Sequence, residues 1–337
     1  MKRRVLYFEE PYRVAAREEP IAPLADDAVL VATIVSAISA GTELLFYRGQ
    51  VPAHMSVDAN IHALAGTVTY PLAYGYACVG RVVELGARVS PEWRDRLVFA
   101  FQPHASHFIC ATDELMPLPE KIAPEVAAFL PNMETAVNFV MDGAPRLGEN
   151  VCVLGQGVVG LLTTALLAHM PLARLIAFDH FPMRRALALE LGAHAAFDST
   201  AQDAIAHARA MFQHDGADLT YELSGNPDAL NAAIALTGFS GRVVIGSWYG
   251  EKRAPLDLGG TFHRSRIRLL SSQVSTLAPE LTGRWTKARR MDVAWQMLAR
   301  VNVARLITHR VPLEQAATAY TMLDTQPQET LQVLLTY

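Results

Sequence analysis

Six consecutive residues, Gly155-Gln156-Gly157-Val158-Val159-Gly160, carry the spacing G-x-G-x-x-G. The chemistry such a run suits is capture of a pyrophosphate. Gly155 permits a tight turn, Gly157 lets the main chain approach the phosphates, and Gly160 lets the following helix pack against the preceding strand. The N–H groups at the start of that helix, around Val158 and Val159, offer partial positive charge to an anion. Asp179 lies 19 residues beyond Gly160. A carboxylate there accepts hydrogen bonds from both hydroxyls of a ribose and repels a 2′-phosphate, which favours NAD over NADP. Arg184, five residues further on, either flanks the adenosine or is a solvated helix charge. Its neighbour Arg185 is of the kind that can tolerate a 2′-phosphate. The plain alternative is a sheet of the same type that binds another ligand or none.

The segments around this run have the order such a site needs. An apolar strand at 150–154 precedes the turn, a helix at 158–169 follows it, and a strand at 174–178 leads to Asp179. Strand candidates continue at 195–197, 217–222 and 241–246, with helix candidates at 182–191, 201–212 and 228–236. This alternation builds an α/β domain: a parallel sheet covered on both faces, doubly wound by right-handed crossovers. Ser224-Gly225 and Gly246-Ser247 follow the fourth and fifth strands, at the carboxyl ends where ligands lie, although Ser and Gly also suit plain turns. A last strand is expected within 266–273, a helix at 288–300, and one more helix and a final strand, 330–335, at the end. Residues 1–131 differ, with strand candidates at 28–39, 78–89, 97–101 and 107–110 punctuated by Gly, Pro and Asn.

Bulk composition narrows the classes. The 337 residues exceed one typical domain, and 51% are hydrophobic against 18% charged, enough for two cores and too apolar for disorder. A net charge of −4 gives no basic footprint, so nucleic acid is not an expected partner. Residues 151–173 hold no Asp, Glu, Lys or Arg, which hydropathy alone admits as a membrane span. The break at Gly155-Gln156-Gly157 favours strand, turn and buried helix instead, with no membrane partner. Cys78, Cys110 and Cys152, odd in number and far apart, fit a reducing cytoplasm better than a disulfide framework. The start, Met1-Lys2-Arg3-Arg4, is basic but lacks the apolar run of a signal peptide.

With a dinucleotide fingerprint after a β-rich first part, the chain resembles the medium-chain dehydrogenase/reductase superfamily. The residues that carry the resemblance are Ala40-Gly41-Thr42-Glu43, Gly75-Tyr76-Ala77 with Val79-Gly80-Arg81-Val82-Val83-Glu84-Leu85-Gly86, Glu134-Thr135-Ala136 and the glycine run. The stretches from Ser36 to Glu43, Pro131 to Ala136 and Gly246-Ser247-Trp248-Tyr249-Gly250, with Ser272-Gln273 and Gly283-Arg284-Trp285, are most similar to the branch containing bacteriochlorophyllide hydroxyethyl dehydrogenase. The resemblance implies a GroES-like β-rich catalytic domain at 1–131, a Rossmann domain at 132–274, and a segment at 275–337 that returns to the catalytic domain. It also implies a homodimer formed at the edge of the Rossmann sheet and an alcohol or carbonyl substrate of small size.

The departures from the family pattern bear on the chemistry. Zinc enzymes of the family have Cys where this chain has Ala40, His where it has Tyr76, and a third ligand where it has Pro131. None of these three side chains can stand in for an open zinc site, and three cysteines cannot make a four-cysteine structural site. The expectation is therefore no zinc. Without a Lewis acid, another group must stabilise the oxygen as hydride moves. Thr42 falls where the family places its relay hydroxyl, or is a structural hydrogen-bonder at a strand end; the usual relay His is Leu45. Tyr76 either donates its phenol, with an ordinary pKa of about 10, or fills the vacated space. Glu134 is either a buried base or a carboxylate favoured by a helix N-terminus.

The resemblance gives Glu43 an anchoring role toward an arginine and puts Thr135 on the nicotinamide face. His54, His62, His104 and His263 have no assigned role. Trp248, Tyr249, Trp285 and Phe262 either shape an apolar pocket or mark a subunit interface. Arg264, Arg266, Arg284, Arg289 and Arg290 either receive an acidic substrate or form a solvated face. Three functions follow: an NAD-dependent secondary-alcohol dehydrogenase, a zinc-free NADPH-dependent enoyl or quinone reductase, and a dinucleotide-binding protein without catalysis.

Overall fold

The structure, a computed structural model, describes residues 1–52, 55–57, 61–212 and 215–337. They divide into two compact units, Met1–Pro131 with Leu298–Tyr337, and Asn132–Met297.

The first unit opens with a hairpin of β1 (Lys2–Glu10) and β2 (Arg13–Pro20). Sequence periodicity misses it because its outer faces are charged; Lys2–Glu18 at 2.8 Å and Arg17–Glu9 pair across the strands. Leu6 and Phe8 on the inner face are fully buried. Next come β3 (Ala28–Ala37) and α1 (Ala40–Tyr47). Periodicity misses α1 as well, because its last five residues are all buried and leave no polar face to set a period. β4 (Leu72–Ala73), β5 (Cys78–Leu85), β6 (Leu97–Ala100), β7 (His107–Ala111), β8 (Met116–Pro117) and α2 (Pro124–Ala127) complete the N-terminal part. β3 is the hub, pairing with both β5 and β7.

Within α3 (Leu130–Gly143) the chain enters the second unit. There, strands and helices alternate as β9 (Asn150–Leu154), α4 (Val158–Ala168), β10 (Arg174–Asp179), α5 (Pro182–Glu190), β11 (Ala195–Asp198), α6 (Ala204–Ala210), β12 (Ala217–Glu222), α7 (Ala229–Leu236), β13 (Thr237–Ile245) and β14 (Arg268–Ser271). The six strands form one parallel sheet in the order β11-β10-β9-β12-β13-β14, the doubly wound arrangement. Alternate residues of β9 feed two cores: Cys152 and Leu154 join one, Val151 and Val153 the other. That explains why the strand reads as an unbroken apolar run. The charge-free stretch 151–173 is β9, a turn and α4, and no helix of the described residues is long and apolar enough to cross a membrane.

α8 (Lys287–Leu298) ends where the chain rejoins the first unit. The return therefore comes at Leu298 rather than 275. Residues 275–297 stay with the second unit because Arg290 of α8 is tied to α3, as described below. β15 (Ile307–Pro312), α9 (Ala316–Thr325) and β16 (Gln332–Thr336) follow. β16 pairs antiparallel with β3 and parallel with β15, so the end of the chain extends the first unit's larger sheet.

Candidate functional site

The glycine run lies at the carboxyl end of β9 in the second unit. Gly155 has φ +89°, and a Cβ there would sit 2.4 Å from the Ser224 Cα. Gly160 is as constrained: its Cβ would lie 1.9 Å from the Gly155 carbonyl oxygen. Gly157, the N-cap of α4, is open by contrast, with nothing within 4 Å of the place a Cβ would take and no side chain to cap the helix. The first-turn N–H groups of Val158, Val159 and Gly160 are thus available to an anion.

Gln156, which sequence reasoning passed over, locks this turn. Its side chain donates to the Val153 carbonyl (3.1 Å) and accepts from Thr164 Oγ1 (2.9 Å), and its backbone N–H donates to Asp179 (2.7 Å). Asp179, 6% exposed at the end of β10, also accepts the Phe181 N–H at 2.8 Å. Arg184 lies 4.8 Å over the Phe181 ring, and burial lowers its pKa while Asp179 opposes the shift. Arg185 is engaged elsewhere, donating to the carbonyls of Asp179 (3.0 Å) and His180 (2.8 Å) and to Asp198 (3.0 Å).

Ser224, Gly246 and Ser247 sit beyond the ends of β12 and β13. The Gly225 N–H donates to Ser247 Oγ at 2.9 Å, and the Gly246 N–H to the Glu222 carbonyl at 3.1 Å. Thr135 is half-buried in α3 beside Glu134. Glu134 is the fifth residue of that helix, so it is not the N-terminal carboxylate expected. Its Oε1 accepts from Arg290 Nε (3.1 Å) and Nη2 (2.8 Å). Arg290, 1% exposed, also donates to Asn138 Oδ1 (2.5 Å) and to the carbonyls of Thr276 (3.0 Å) and Val274. Burial raises the Glu134 pKa and Arg290 opposes it. Arg264, Arg266, Arg284 and Arg289 are exposed, so the sequence cluster splits into a solvated group and one buried clamp. Phe262 packs on the core beside α7; Arg289 stacks over Trp285 at 4.1 Å; Trp248 is 37% exposed.

In the first unit Thr42 is the third residue of α1, not the end of a strand, and its side chain is half-buried. The Tyr76 phenol donates to Ser39 Oγ, and Ser39 is the N-cap of α1. The Ser39 N–H in turn donates to Glu43 Oε1 at 2.7 Å. Glu43 is fully buried and anchors an imidazole and a phenol where an arginine was expected: Oε2 faces His104 Nε2 at 3.1 Å and accepts from the Tyr320 hydroxyl. His104 Nδ1 meets Ser36 Oγ at 2.6 Å, and Ser36 meets the Tyr337 hydroxyl at 2.7 Å. Gly75 has φ +116°, and a Cβ there would lie 2.5 Å from the His104 ring, which is why glycine precedes Tyr76. Sequence patterns gave Ser39, His104 and Tyr320 no role; the buried Glu in an apolar segment was the one available hint.

Other histidines lie apart: His62 is exposed, 3.4 Å from Glu114; His263 is exposed; His54 lies outside the described residues. Burial pushes the thiols of Cys78 and Cys110 up to about 12, which leaves them poor nucleophiles. Ala40, Tyr76 and Pro131 offer no metal ligand set, and among the described residues no three His, Cys, Asp or Glu side chains converge to hold a metal.

Residues 158–291 match the family model described as zinc-binding dehydrogenase. The uncharacterized zinc-type alcohol dehydrogenase-like protein YphC of Escherichia coli K12 is 28% identical over 224 residues, 65% of this chain and 60% of its own length. An L-threonine 3-dehydrogenase of Bacillus subtilis 168 is 26% identical over 209 residues, 60% of this chain and 56% of its own. The matches thus take in less than two thirds of these relatives. A dehydrogenase of Sinorhizobium meliloti 1021 bound to NADP is similar in structure with a TM-score of 0.78, at 19% identity over 100% of both chains. An alcohol dehydrogenase of E. coli CFT073 complexed with NADH has a TM-score of 0.80, at 18% identity over 100% of this chain and 99% of that one. The chain has the α/β fold of these dehydrogenases, and over residues 158–291 its sequence is similar to the zinc-binding dehydrogenase family.

Proposed function

We propose that this chain is an NAD-dependent oxidoreductase that interconverts a secondary alcohol and its ketone, with hydroxyl groups of the first unit in the role of a catalytic zinc. The reading follows the residue pattern of the zinc-free branch that contains bacteriochlorophyllide hydroxyethyl dehydrogenase. The observation that carries it is the glycine turn: a Gly155 whose positive φ and close neighbours leave no room for a side chain, an unobstructed Gly157 and an uncapped α4, joined through Gln156 to the carboxylate of Asp179. When bound, NAD takes up or returns a hydride at its nicotinamide ring.

Each residue then has a physical task. The first-turn N–H groups of α4 hold the pyrophosphate, and Asp179 takes the ribose hydroxyls with its remaining lone pairs. Arg185, committed to Asp198 and two carbonyls, is poorly placed to receive a 2′-phosphate, which supports NAD. During reduction the Tyr76 phenol gives its proton to the ketone oxygen and is left as a phenolate that the Ser39 hydroxyl stabilises; during oxidation that phenolate takes the alcohol proton back. Thr42 in the first turn of α1 supplies a second hydroxyl. Glu134, neutralised by Arg290, keeps α3 on the 274–276 segment and is left out of proton transfer.

A second reading, an NADPH-dependent reductase, is favoured by the NADP-bound structural neighbour. Fluorescence titration with NADH and NADPH, metal analysis of the purified protein, and turnover of an alcohol and ketone panel separate the possibilities. Tighter NADH binding, no stoichiometric zinc and hydride transfer to a ketone are expected. Tighter NADPH binding would favour the reductase, and stoichiometric zinc would overturn the hydroxyl mechanism. Binding without any turnover would leave a non-catalytic dinucleotide protein, and binding of neither nucleotide would sink the reading.

A further inference from the structure

Glu222 has no place in the chemistry above, yet it is a fully buried carboxylate at the functional edge of the sheet. It is the last residue of β12, in register with Leu154 of β9 and Ile245 of β13. A carboxylate removed from water is costly unless donors surround it. Here the donors come from loops. Ser224 gives both its N–H (2.8 Å) and its hydroxyl to Oε1, and the Tyr249 hydroxyl goes to Oε2. Lys252 Nζ donates to the Gly225 carbonyl at 2.8 Å, adding another tie between the same two loops.

The loop that Glu222 holds is also the wall of the glycine turn. A Cβ on Gly155 would strike the Ser224 Cα and N, at 2.4 and 2.5 Å. One carboxylate therefore sets the placement of two loops, 223–226 and 246–249, beside the turn at 155–157, which keeps its own lock through Gln156 and Asp179. The strand order says which part of a dinucleotide this concerns. β10, with Asp179 at its end, flanks β9 on one side; β12 and β13 lie on the other. A dinucleotide crosses such a sheet at the point where strand order reverses. With the adenosine ribose at Asp179, the nicotinamide half has to extend over β12 and β13.

We infer that Glu222 is a positioning residue for the nicotinamide half of the bound dinucleotide, acting through Ser224 and Tyr249. This rests on the dinucleotide reading proposed above. A wholly structural carboxylate would affect both halves of the ligand alike, whereas this one acts on one side of β9.

The test compares two ligands on wild type and Glu222→Gln: NADH, by fluorescence titration, and ADP-ribose, which lacks the nicotinamide, by calorimetry. The expected result is NADH binding weaker by about tenfold, the equivalent of one hydrogen bond to a charged group, with ADP-ribose affinity changed less than about twofold. Should Glu222→Gln fail to fold, Tyr249→Phe keeps the carboxylate and removes one donor, and the same selective loss, smaller in size, is expected. Equal weakening of both ligands, or unchanged NADH affinity, would overturn the inference while leaving the dinucleotide reading intact. A wild-type protein that binds neither ligand would overturn that reading and this inference together.

Discussion

The glycine turn of the second unit and the hydroxyl–carboxylate cluster of the first are built by opposite means. The turn is six adjacent residues whose geometry follows from missing side chains. The cluster assembles Ser36, Ser39, Glu43, Tyr76, His104, Tyr320 and Tyr337 from both ends of the chain, and the Ser36–Tyr337 contact alone spans 301 positions. At Gly157, the open position of the turn, an error falls on ligand binding, whereas in the cluster assembled from distant segments it falls on folding. In the turn, the atoms that matter are backbone N–H groups that water also serves in the free protein. At the centre of the cluster, Ser36, Glu43, His104 and Tyr320 are fully buried and their polar atoms rely on one another.

The largest expected effect tests the cluster. Glu43→Ala strands the Ser39 N–H, His104 and the Tyr320 hydroxyl in the core, and should lower the unfolding free energy by about 3 kcal/mol. Denaturant unfolding measures this, and a variant as stable as the parent would erase the contrast drawn above. Next in size is Gly157→Ala. Open space around that position means the free protein should keep its melting temperature, while the added methyl blocks approach of the pyrophosphate and weakens NADH binding by at least about tenfold. Destabilisation without loss of affinity would count against the local nature of the turn.

A smaller change comes from Asp179→Asn, which removes the charge that repels a 2′-phosphate. The ratio of NADH to NADPH affinity should fall several-fold, roughly 1 kcal/mol of discrimination, and an unchanged ratio would transfer the selectivity to other residues. The smallest effect concerns Asp142, which accepts from Asn138 Nδ2 (2.9 Å) and Ser272 Oγ (2.5 Å) and whose carboxyl burial holds above its ordinary 3.8. With the folded-state value raised, the penalty is absent where both states are protonated and grows as pH rises through the range above 3.8. Asp142→Asn should therefore gain stability over wild type between acid and neutral pH. A pH-independent difference in unfolding free energy would contradict this.

Much of the second unit is legible in the sequence because its information is local. Strand–helix alternation, the glycine spacing and Asp179 all lie within one stretch, and β9 declares itself by an unbroken apolar run. The first unit conceals more. Its N-terminal hairpin is held by charged pairs that obscure a period of two, and α1 buries its last five residues, Glu43 among them, so no polar face marks its period. Arg290 reads along the chain as one of five surface arginines, and only its neighbours distinguish it.

Sequence alone determined the doubly wound sheet, the dinucleotide turn and the presence of Ala, Tyr and Pro at 40, 76 and 131, since each depends on residue identity at short range. Tertiary structure decided what Glu43, Glu134 and Glu222 do. A carboxylate's role is set by the donors that surround it, and those donors here come from Tyr320, Arg290 and Tyr249, up to 277 positions away. No pattern along the chain encodes such a meeting; it exists only once the sheets have closed and water has left.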